Sequence, residues 1–196
     1  QINLFETKIK ETYLRERLNN AKFEGKKNQK LSIEFIEGNI KKIVFIGLGK
    51  AESLLIDDLR KAASIGTRQV LGYEEKLGIL LPWDAFDPSS IALAVGEAVK
   101  LTSFKDLRFK SEPNESTQIK NVELIGLDIK LNESVLSEIN PICEGVKFAR
   151  ELVSAPPNFL TPYQMAKEAE KLASDYDLDL TTINKQECED QGMGAS

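Results

Sequence analysis

The chain has 196 residues, 41% of them hydrophobic, and a formal net charge of −5, so it can bury the core of one ordinary domain, or of one domain and part of another. It contains no histidine, which excludes Ser-His-Asp triads, Cys-His pairs, HExxH sites and His-ligated metals within these residues. No apolar run approaches the roughly 18 residues of a membrane span, and the first residues lack the basic-then-apolar order of a secretory signal.

The distribution of charge limits the possible binding partners, and the two cysteines indicate the redox compartment. Residues 151–196 hold nine acidic and three basic side chains, a net charge of −6, which leaves +1 for the rest of the chain. This balance offers no basic face for phosphates, so we expect neither nucleic acid nor a membrane as a partner. Cys143 and Cys188 form no CxxC motif, which favours free thiols in a reducing compartment.

Apolar runs and their spacing predict an α/β chain. The predicted strands are residues 2–9, 31–37, 41–47, 76–82, 119–127 and 178–183. The predicted helices are residues 52–71, 88–104, 133–153 and 162–175. Strands that alternate with helices predict a largely parallel sheet covered on both faces, whereas the early strands, close together around Gly25 and Gly38, predict an antiparallel hairpin.

Proline marks two places in the last third of the chain. Asn132 is a candidate cap for the helix at 133–153, and Pro141 inside that helix predicts a kink or two shorter helices. Pro156 and Pro157 predict an extended connector.

Two helix-start signals follow this connector. Thr161 is a candidate cap, with proline in the first turn and Gln164 placed to close a capping box. Asn184, with Glu187 three residues later, predicts another short helix start. These elements begin an α/β unit that is too small to bury a core alone, so we expect an incomplete second domain.

The stretch KKIVFIGLGKAES, residues 41–53, resembles a strand that leads through two glycines into a helix. A dinucleotide fingerprint needs a third glycine, where this chain has Glu52, and an acidic residue at the end of the next strand about 20 positions later. The spacing fails, so a tight strand-to-helix turn is the favoured interpretation. A milder alternative stays open, in which backbone N–H groups at Gly47 to Gly49 hold a phosphate.

The acidic residues suggest no catalytic set. Adjacent Asp57 and Asp58 are predicted to lie on a solvated helix face, because neighbouring positions do not converge on one substrate atom. Asp84 and Asp87 follow a strand and could line a cleft, but a turn at Asp84 and a helix cap at Asp87 are the favoured explanation. The remaining acidic cluster is predicted to be exposed helix surface and consists of Glu187, Glu189 and Asp190.

Three segments carry a family resemblance, in order along the chain. VFIGLGKAE (residues 44–52), FARELVSAPPNFLTPYQMAKEA (residues 148–169) and GMGAS (residues 192–196) resemble segments of the leucyl aminopeptidases, or cytosol aminopeptidases. In that family an arginine-led helix passes through a proline-containing loop to a Thr-Pro helix start. Ser154 departs from the family's usual asparagine, which affects a local loop contact.

The resemblance implies a fold and an activity for the parent protein. It implies an α/β fold, with a macrodomain-like mixed sheet flanked by helices in an accessory domain, residues 1–150. The start of a catalytic domain follows in residues 151–196. Family members remove N-terminal residues, preferring leucine, from peptide substrates, with two divalent metal ions, Mn or Zn. The full-length protein is then expected to be a homo-hexamer.

The same resemblance implies that this chain alone is inactive. The family's metal ligands and catalytic residues belong to motifs after the Met-Gly segment, so we expect no catalytic, cofactor-binding or metal-binding residue within residues 1–196. A cytoplasmic location is expected, with a plastid as the alternative. Two other interpretations stay open: a stand-alone macrodomain-like module that binds ADP-ribose or another phosphate-bearing ligand, and a structural assembly subunit.

Overall fold

The computed structural model describes residues 4–36, 38–73, 75–111, 118–126 and 129–194, and it divides into two compact units, residues 1–148 and residues 149–196. The α-helices are α1 (Leu4–Asn20), α2 (Ile56–Val70), α3 (Pro88–Ser103), α4 (Ile129–Ser154), α5 (Pro162–Tyr176) and α6 (Lys185–Asp190). The strands are β1 (Lys30–Glu34), β2 (Lys42–Ile46), β3 (Lys76–Leu80) and β4 (Asn121–Ile125). None of the described helices is long and apolar enough to cross a membrane.

The strands form two small sheets. β1 and β2 pair antiparallel, with Lys30 opposite Ile46, which confirms the predicted hairpin. β3 and β4 pair in parallel, with Lys76 opposite Asn121. A largely parallel sheet covered on both faces is therefore not observed in the described ranges, because each sheet there consists of one strand pair.

The core of unit 1 lies between α2 and α3. Apolar residues of α2 recur at helical spacing and place Leu59 and Ala63 against Ile91 and Val95 of α3. Three of these side chains, Leu59, Ile91 and Val95, are completely removed from solvent. Leu77, Ile79 and Leu124 of the parallel strands pack against this cluster, so the helices cover one face of the β3–β4 sheet.

The helix α4 packs on α3 around a small second cluster. Ile139 and Cys143 of α4 are buried against Ala92. A side chain at Gly96 of α3 would overlap with the Cδ1 atom of Ile139, so the glycine allows the two helices to approach closely.

Pro141 lies inside α4, which continues past it as one helix, so of the two predicted alternatives the division into two shorter helices is wrong, and the kink stays a prediction. Asn132 is likewise inside the helix rather than at its cap, because α4 begins at Ile129. Ile139 and Cys143, on either side of the proline, are both buried in the contact with α3. Packing on both sides of Pro141 offsets the hydrogen bond that proline cannot donate.

The strand predicted at residues 2–9 is wrong, because the described part of this segment belongs to α1. Phe5, Ile9 and Tyr13 are spaced by four, which is a helical period, and the flanking Glu, Lys and Arg residues have high helix propensity. Glu11 and Arg15 add an ion pair of 2.8 Å one turn apart.

Unit 2 begins in the last turns of α4 and continues through a turn rather than the predicted extended connector. The N–H groups of Phe159 and Leu160 both donate to the Pro156 carbonyl oxygen at 2.9 Å. The cap at Thr161 is confirmed, since its Oγ1 accepts the Gln164 N–H at 3.2 Å.

The two remaining helix signals of unit 2 have different outcomes. The Gln164 side chain donates to Glu168 and so does not close the predicted capping box. At Asn184 the box is complete, since its side chain accepts the Glu187 N–H and its own N–H donates to the Glu187 carboxylate. The strand predicted at 178–183 is wrong for this structure, where that segment is neither helix nor strand.

We expect Leu59→Ala to lower the free energy of unfolding by about 2 to 5 kcal/mol, because it opens a cavity in the α2–α3 contact. Leu55→Ala is the matched control, since Leu55 directly precedes the same helix and is 61% exposed. The control should change the free energy by about 0.5 kcal/mol or less. Equal losses in chemical denaturation would contradict this position of the core.

Candidate functional site

The glycine turn between β2 and α2 is the sequence motif that suggested a phosphate-bearing ligand. β2 ends at Ile46, and the chain passes through Gly47 to Gly49 and a short 3-10 turn, Ala51–Ser53, before α2 begins at Ile56. The turn therefore does not lead directly into the N-terminus of a long helix. A dinucleotide fingerprint requires that arrangement for its pyrophosphate.

The N–H groups of both glycines in this turn already have partners. The Gly47 N–H donates to the Gln29 carbonyl oxygen at 2.7 Å, and the Gly49 N–H donates to the Gly25 carbonyl oxygen at 2.9 Å. In return, the Asn28 N–H donates to the Gly47 carbonyl oxygen at 2.9 Å. A phosphate would have to displace these bonds, so the structure favours the tight turn over the phosphate loop.

Glycine is required here by the close approach of a second segment. A Cβ atom at Gly47 would overlap with the Lys26 carbonyl oxygen and lie 2.7 Å from the Gly25 carbonyl oxygen. Gly49 adopts a φ of +83°, which other residues rarely adopt. Both glycines therefore allow residues 25–29 to pass close to the backbone of the turn.

The side chain of Gln29 stabilises the crossing segment from within. Its Oε1 accepts the N–H groups of Glu24 at 2.9 Å and Lys26 at 3.1 Å, and its Nε2 donates to the Lys22 carbonyl oxygen. One amide side chain thereby holds three backbone groups of the loop that leads into β1. Sequence reasoning did not single out Gln29, because its partners are backbone groups that no motif displays.

Asp58 connects this crossing to α2, which corrects the prediction of a solvated face. Its side chain is almost completely buried, it forms an ion pair of 2.6 Å with Lys27, and it accepts the Leu55 N–H at 3.1 Å. Lys27, and after it the Leu55 N–H, hold the pKa of Asp58 below its ordinary value. The carboxylate also lies in the first turn of α2, where the helix dipole favours negative charge.

The other acidic candidates lie at structural positions of the chain. Asp57 pairs with Arg60 on the exposed side of α2. Asp87 caps α3 by accepting the Ser90 N–H at 3.0 Å, as the cap interpretation predicted. Asp84 lies in the 3-10 turn that follows β3, and Glu187 belongs to the capping box of α6. The structure brings none of these carboxylates into one site.

The described side chains also provide no cluster of metal ligands. Within the described ranges, no group of three or more Cys, Asp or Glu side chains is arranged to hold a metal ion, and the chain has no histidine. The described residues therefore do not fit a two-metal centre.

A cavity of about 250 Å³ lies near the C-terminal end of α3, where no sequence motif marked a site. Lys100 forms an ion pair of 3.1 Å with Glu144 and donates to Asn140 at 2.9 Å, and it lowers the pKa of Glu144. A lysine in the last turn of α3 also complements the negative end of the helix dipole. These contacts stabilise the α3–α4 pair and supply no nucleophile with an adjacent base.

We expect Gly47→Ala to lower the free energy of unfolding by about 2 kcal/mol or more, because the new methyl group meets backbone atoms that cannot rotate away. Gly145→Ala is the control, since Gly145 lies in α4 and a Cβ there meets no atom within 4 Å. It should leave the stability unchanged or raise it by about 0.5 to 1 kcal/mol. A Gly47→Ala variant as stable as the control would show that the turn does not need glycine.

Asp58→Asn should lower the thermal midpoint by several degrees at pH 7, since it removes the charge that pairs with Lys27. Because the folded-state pKa lies below the ordinary 3.8, this stabilisation is fully present above about pH 4 and is lost as the pH falls through the lowered pKa. The midpoints of the parent chain and the variant should therefore converge below pH 3.8. Asp57→Asn, on the exposed face, is the control; a gap that stays constant down to pH 3 would contradict the ion pair.

Comparison with protein families gives two matches in order along the chain. The model described as the cytosol aminopeptidase family, N-terminal domain, matches residues 4–113. The model described as the cytosol aminopeptidase family, catalytic domain, matches residues 147–196.

Individual proteins agree with these models. A probable cytosol aminopeptidase of Prochlorococcus marinus strain MIT 9211 is 45% identical over 195 residues, which are 100% of this chain and 39% of that protein. A mutant of tomato leucine aminopeptidase superposes with a TM-score of 0.73 at 28% identity, over 93% of this chain and 37% of that one. The bottromycin maturation enzyme BotP in complex with Mn gives a TM-score of 0.68 at 22% identity, over 90% and 37% of the two chains, and so shows similarity of fold alone.

This chain thus spans less than two fifths of the length of each of these proteins. The alternative of a stand-alone macrodomain-like module is not supported by these matches. The family resemblance of the three sequence segments is confirmed: the chain belongs to the cytosol aminopeptidase family, whose members are metal-dependent hydrolases.

Proposed function

We propose that the chain is the N-terminal portion of an aminopeptidase that hydrolyses N-terminal residues, leucine by preference, from peptides. The observation that carries this proposal is the order of the two family matches, with the catalytic-domain match beginning at residue 147 and reaching residue 196. The leucine preference rests on the likeness to the tomato leucine aminopeptidase.

The proposed domain boundary lies close to residue 147, where the catalytic-domain match begins. Residues 1–150 form an accessory domain of macrodomain-like fold, and residues 151–196 begin the catalytic domain. The division of the chain into two compact units at residues 148 and 149 supports a boundary in the last turns of α4. The accessory domain contributes the α2–α3 core, and its described residues form no group of three or more Cys, Asp or Glu side chains that could hold a metal ion.

The metal ions of the proposed enzyme are bound outside this chain. In two-metal hydrolases the ions activate a water molecule and polarise the scissile carbonyl group. The described residues supply no matching ligand set, so two divalent ions, Mn or Zn, require ligands from the rest of the protein. The presence of Mn in the BotP structure supports manganese as the first ion to test.

Two further parts of the proposal concern assembly and location. The full-length protein is proposed to form a homo-hexamer in which the accessory domain flanks the catalytic domain. A cytoplasmic location agrees with the name of the curated relative, a probable cytosol aminopeptidase, and a plastid location is the alternative.

The proposal predicts opposite results for the full-length protein and for this chain. Full-length protein with Mn²⁺ should release leucine from leucine p-nitroanilide, whereas the 196-residue chain should release none under the same conditions. Treatment with EDTA should abolish the activity of the full-length protein, and Mn²⁺ or Zn²⁺ should restore it. Metal-dependent turnover by the 196-residue chain would refute the proposal that its own residues lack the catalytic set.

A further inference from the structure

The cavity of about 250 Å³ at the C-terminal end of α3 lies away from the positions that the sequence marked for a ligand. Every described residue that lines it, from Leu71 to Lys147, belongs to unit 1. Leu71 follows α2 and Ile119 precedes β4, so the cavity lies near the N-terminal ends of β3 and β4. The glycine turn and Asp84, by contrast, follow the carboxyl ends of their strands, where α/β sheets usually bind ligands.

The charged side chains around the cavity are mainly positive. Lys100, Lys105 and Lys147 line it together with Glu144, a net charge of +2 in a chain whose formal net charge is −5. Glu144 lies 3.1 Å from the Lys100 ammonium and 3.6 Å from the Lys147 ammonium. One carboxylate neutralises only one of two ammonium groups, and the helix end adds roughly half a negative charge. The cavity therefore keeps an excess of positive charge.

Ser103 adds a hydroxyl group to the same lining. Its Oγ is buried and has no hydrogen-bond partner in the part of the chain that the structure describes. A buried hydroxyl without a partner costs free energy, and buried polar groups are therefore nearly always paired. Rotation about the single χ1 bond redirects a serine hydroxyl between staggered positions. An acceptor bound in the cavity can thus become its partner.

The remaining wall of the cavity is largely apolar. Leu71, Leu101, Phe104 and Ile119 contribute half-buried side chains to it. An apolar wall with a few convergent polar groups is typical of small-molecule sites, and the volume lies below the roughly 300 to 1,000 Å³ of most of them. A short aliphatic body with an anionic head uses both parts of this lining, whereas inorganic phosphate uses only the charged part.

We propose that this cavity binds a small organic carboxylate. The ligand carboxylate pairs with the ammonium groups of Lys100 and Lys147 and accepts the Ser103 hydroxyl. Each ammonium has three N–H donors, so both lysines can hold the ligand without releasing Glu144. The aliphatic part of the ligand contacts Leu101 and Phe104. This binding site goes beyond the proposed peptide hydrolysis and does not depend on it.

Three probes separate the contributions of charge and apolar contact. In calorimetric titrations of the full-length protein, 4-methylpentanoate should bind about 10-fold or more tightly than 4-methylpentan-1-ol, which has the same aliphatic body without the charge. It should also bind more tightly than inorganic phosphate. Equal affinity for the alcohol would overturn the role of the lysines, and equal affinity for phosphate would overturn the ligand class. Absence of 4-methylpentanoate binding would overturn the whole proposal.

Ser103→Ala separates binding from stability. The variant should weaken 4-methylpentanoate binding by about 10-fold, because a hydrogen bond to a charged group is lost. It should leave the thermal midpoint unchanged or raise it, since the hydroxyl has no partner to lose among the described residues. A lowered midpoint with unchanged affinity would show that Ser103 has a structural role alone.

Lys147→Met tests the charge of the cavity. It should weaken binding by about 3-fold or more, because it removes one of the two proposed ammonium partners. Lys26→Met is the matched control, since Lys26 forms an exposed ion pair with Glu24 in unit 1 and does not line the cavity. Equal losses of affinity in the two variants would contradict binding at this position.

The two cysteines locate the bound probe. Cys143 lines the cavity and is buried, whereas Cys188 lies in α6 of unit 2. With 4-methylpentanoate at about 10 times its Kd, alkylation of Cys143 by iodoacetamide should slow roughly 10-fold, because the reagent reaches a buried thiol through opening of the fold. Cys188 should react at an unchanged rate, as measured by peptide mass spectrometry. Binding that leaves the Cys143 rate unchanged would place the ligand elsewhere and overturn the assignment.

Discussion

Unit 1 depends on the apolar contact between α2 and α3. β3 and β4 are far apart in sequence, and their parallel pairing requires a crossover, which includes α3. The buried cluster around Leu59 and Ile91 holds α3 beside α2 and against that pair of strands. The same α2 packs against β2, where a Cβ at Gly66 would lie 3.8 Å from the Ile46 side chain. The hairpin and the parallel pair are therefore joined through the two helices.

The glycine turn shows how one local pattern serves different purposes. A strand followed by Gly-x-Gly exposes backbone N–H groups, and these can bind a phosphate or another segment of the chain. Here the segment at residues 25–29 takes them, Gly47 leaves it room, and the Lys27–Asp58 ion pair connects it to α2. The deciding information lies in residues more than 15 positions upstream, which a local motif does not include.

The sequence predicted those elements that local interactions determine. The hairpin, α2, α3 and the caps at Asp87, Thr161 and Asn184 all follow from spacing and side-chain chemistry within a few residues. Three predictions failed for reasons that lie outside the local sequence. Asp58 pairs with a lysine distant in sequence, α4 continues through Pro141 because it is packed on both sides of it, and residues 178–183 have no strand to pair with in the part of the chain that the structure describes. The family resemblance supplied the proposed function, because the described side chains form no group of three or more Cys, Asp or Glu residues that could hold a metal ion.

We conclude that the chain is one part of a longer aminopeptidase, because the catalytic-domain match covers all of unit 2. The most direct measurement is to sequence the native transcript past the codon for Ser196. We expect the reading frame to continue for a few hundred residues and to encode a lysine and several carboxylates in compact motifs, which would supply the metal ligands. A stop codon immediately after Ser196 would contradict the claim, since the described residues provide no such set and the gene product could not then be a two-metal aminopeptidase.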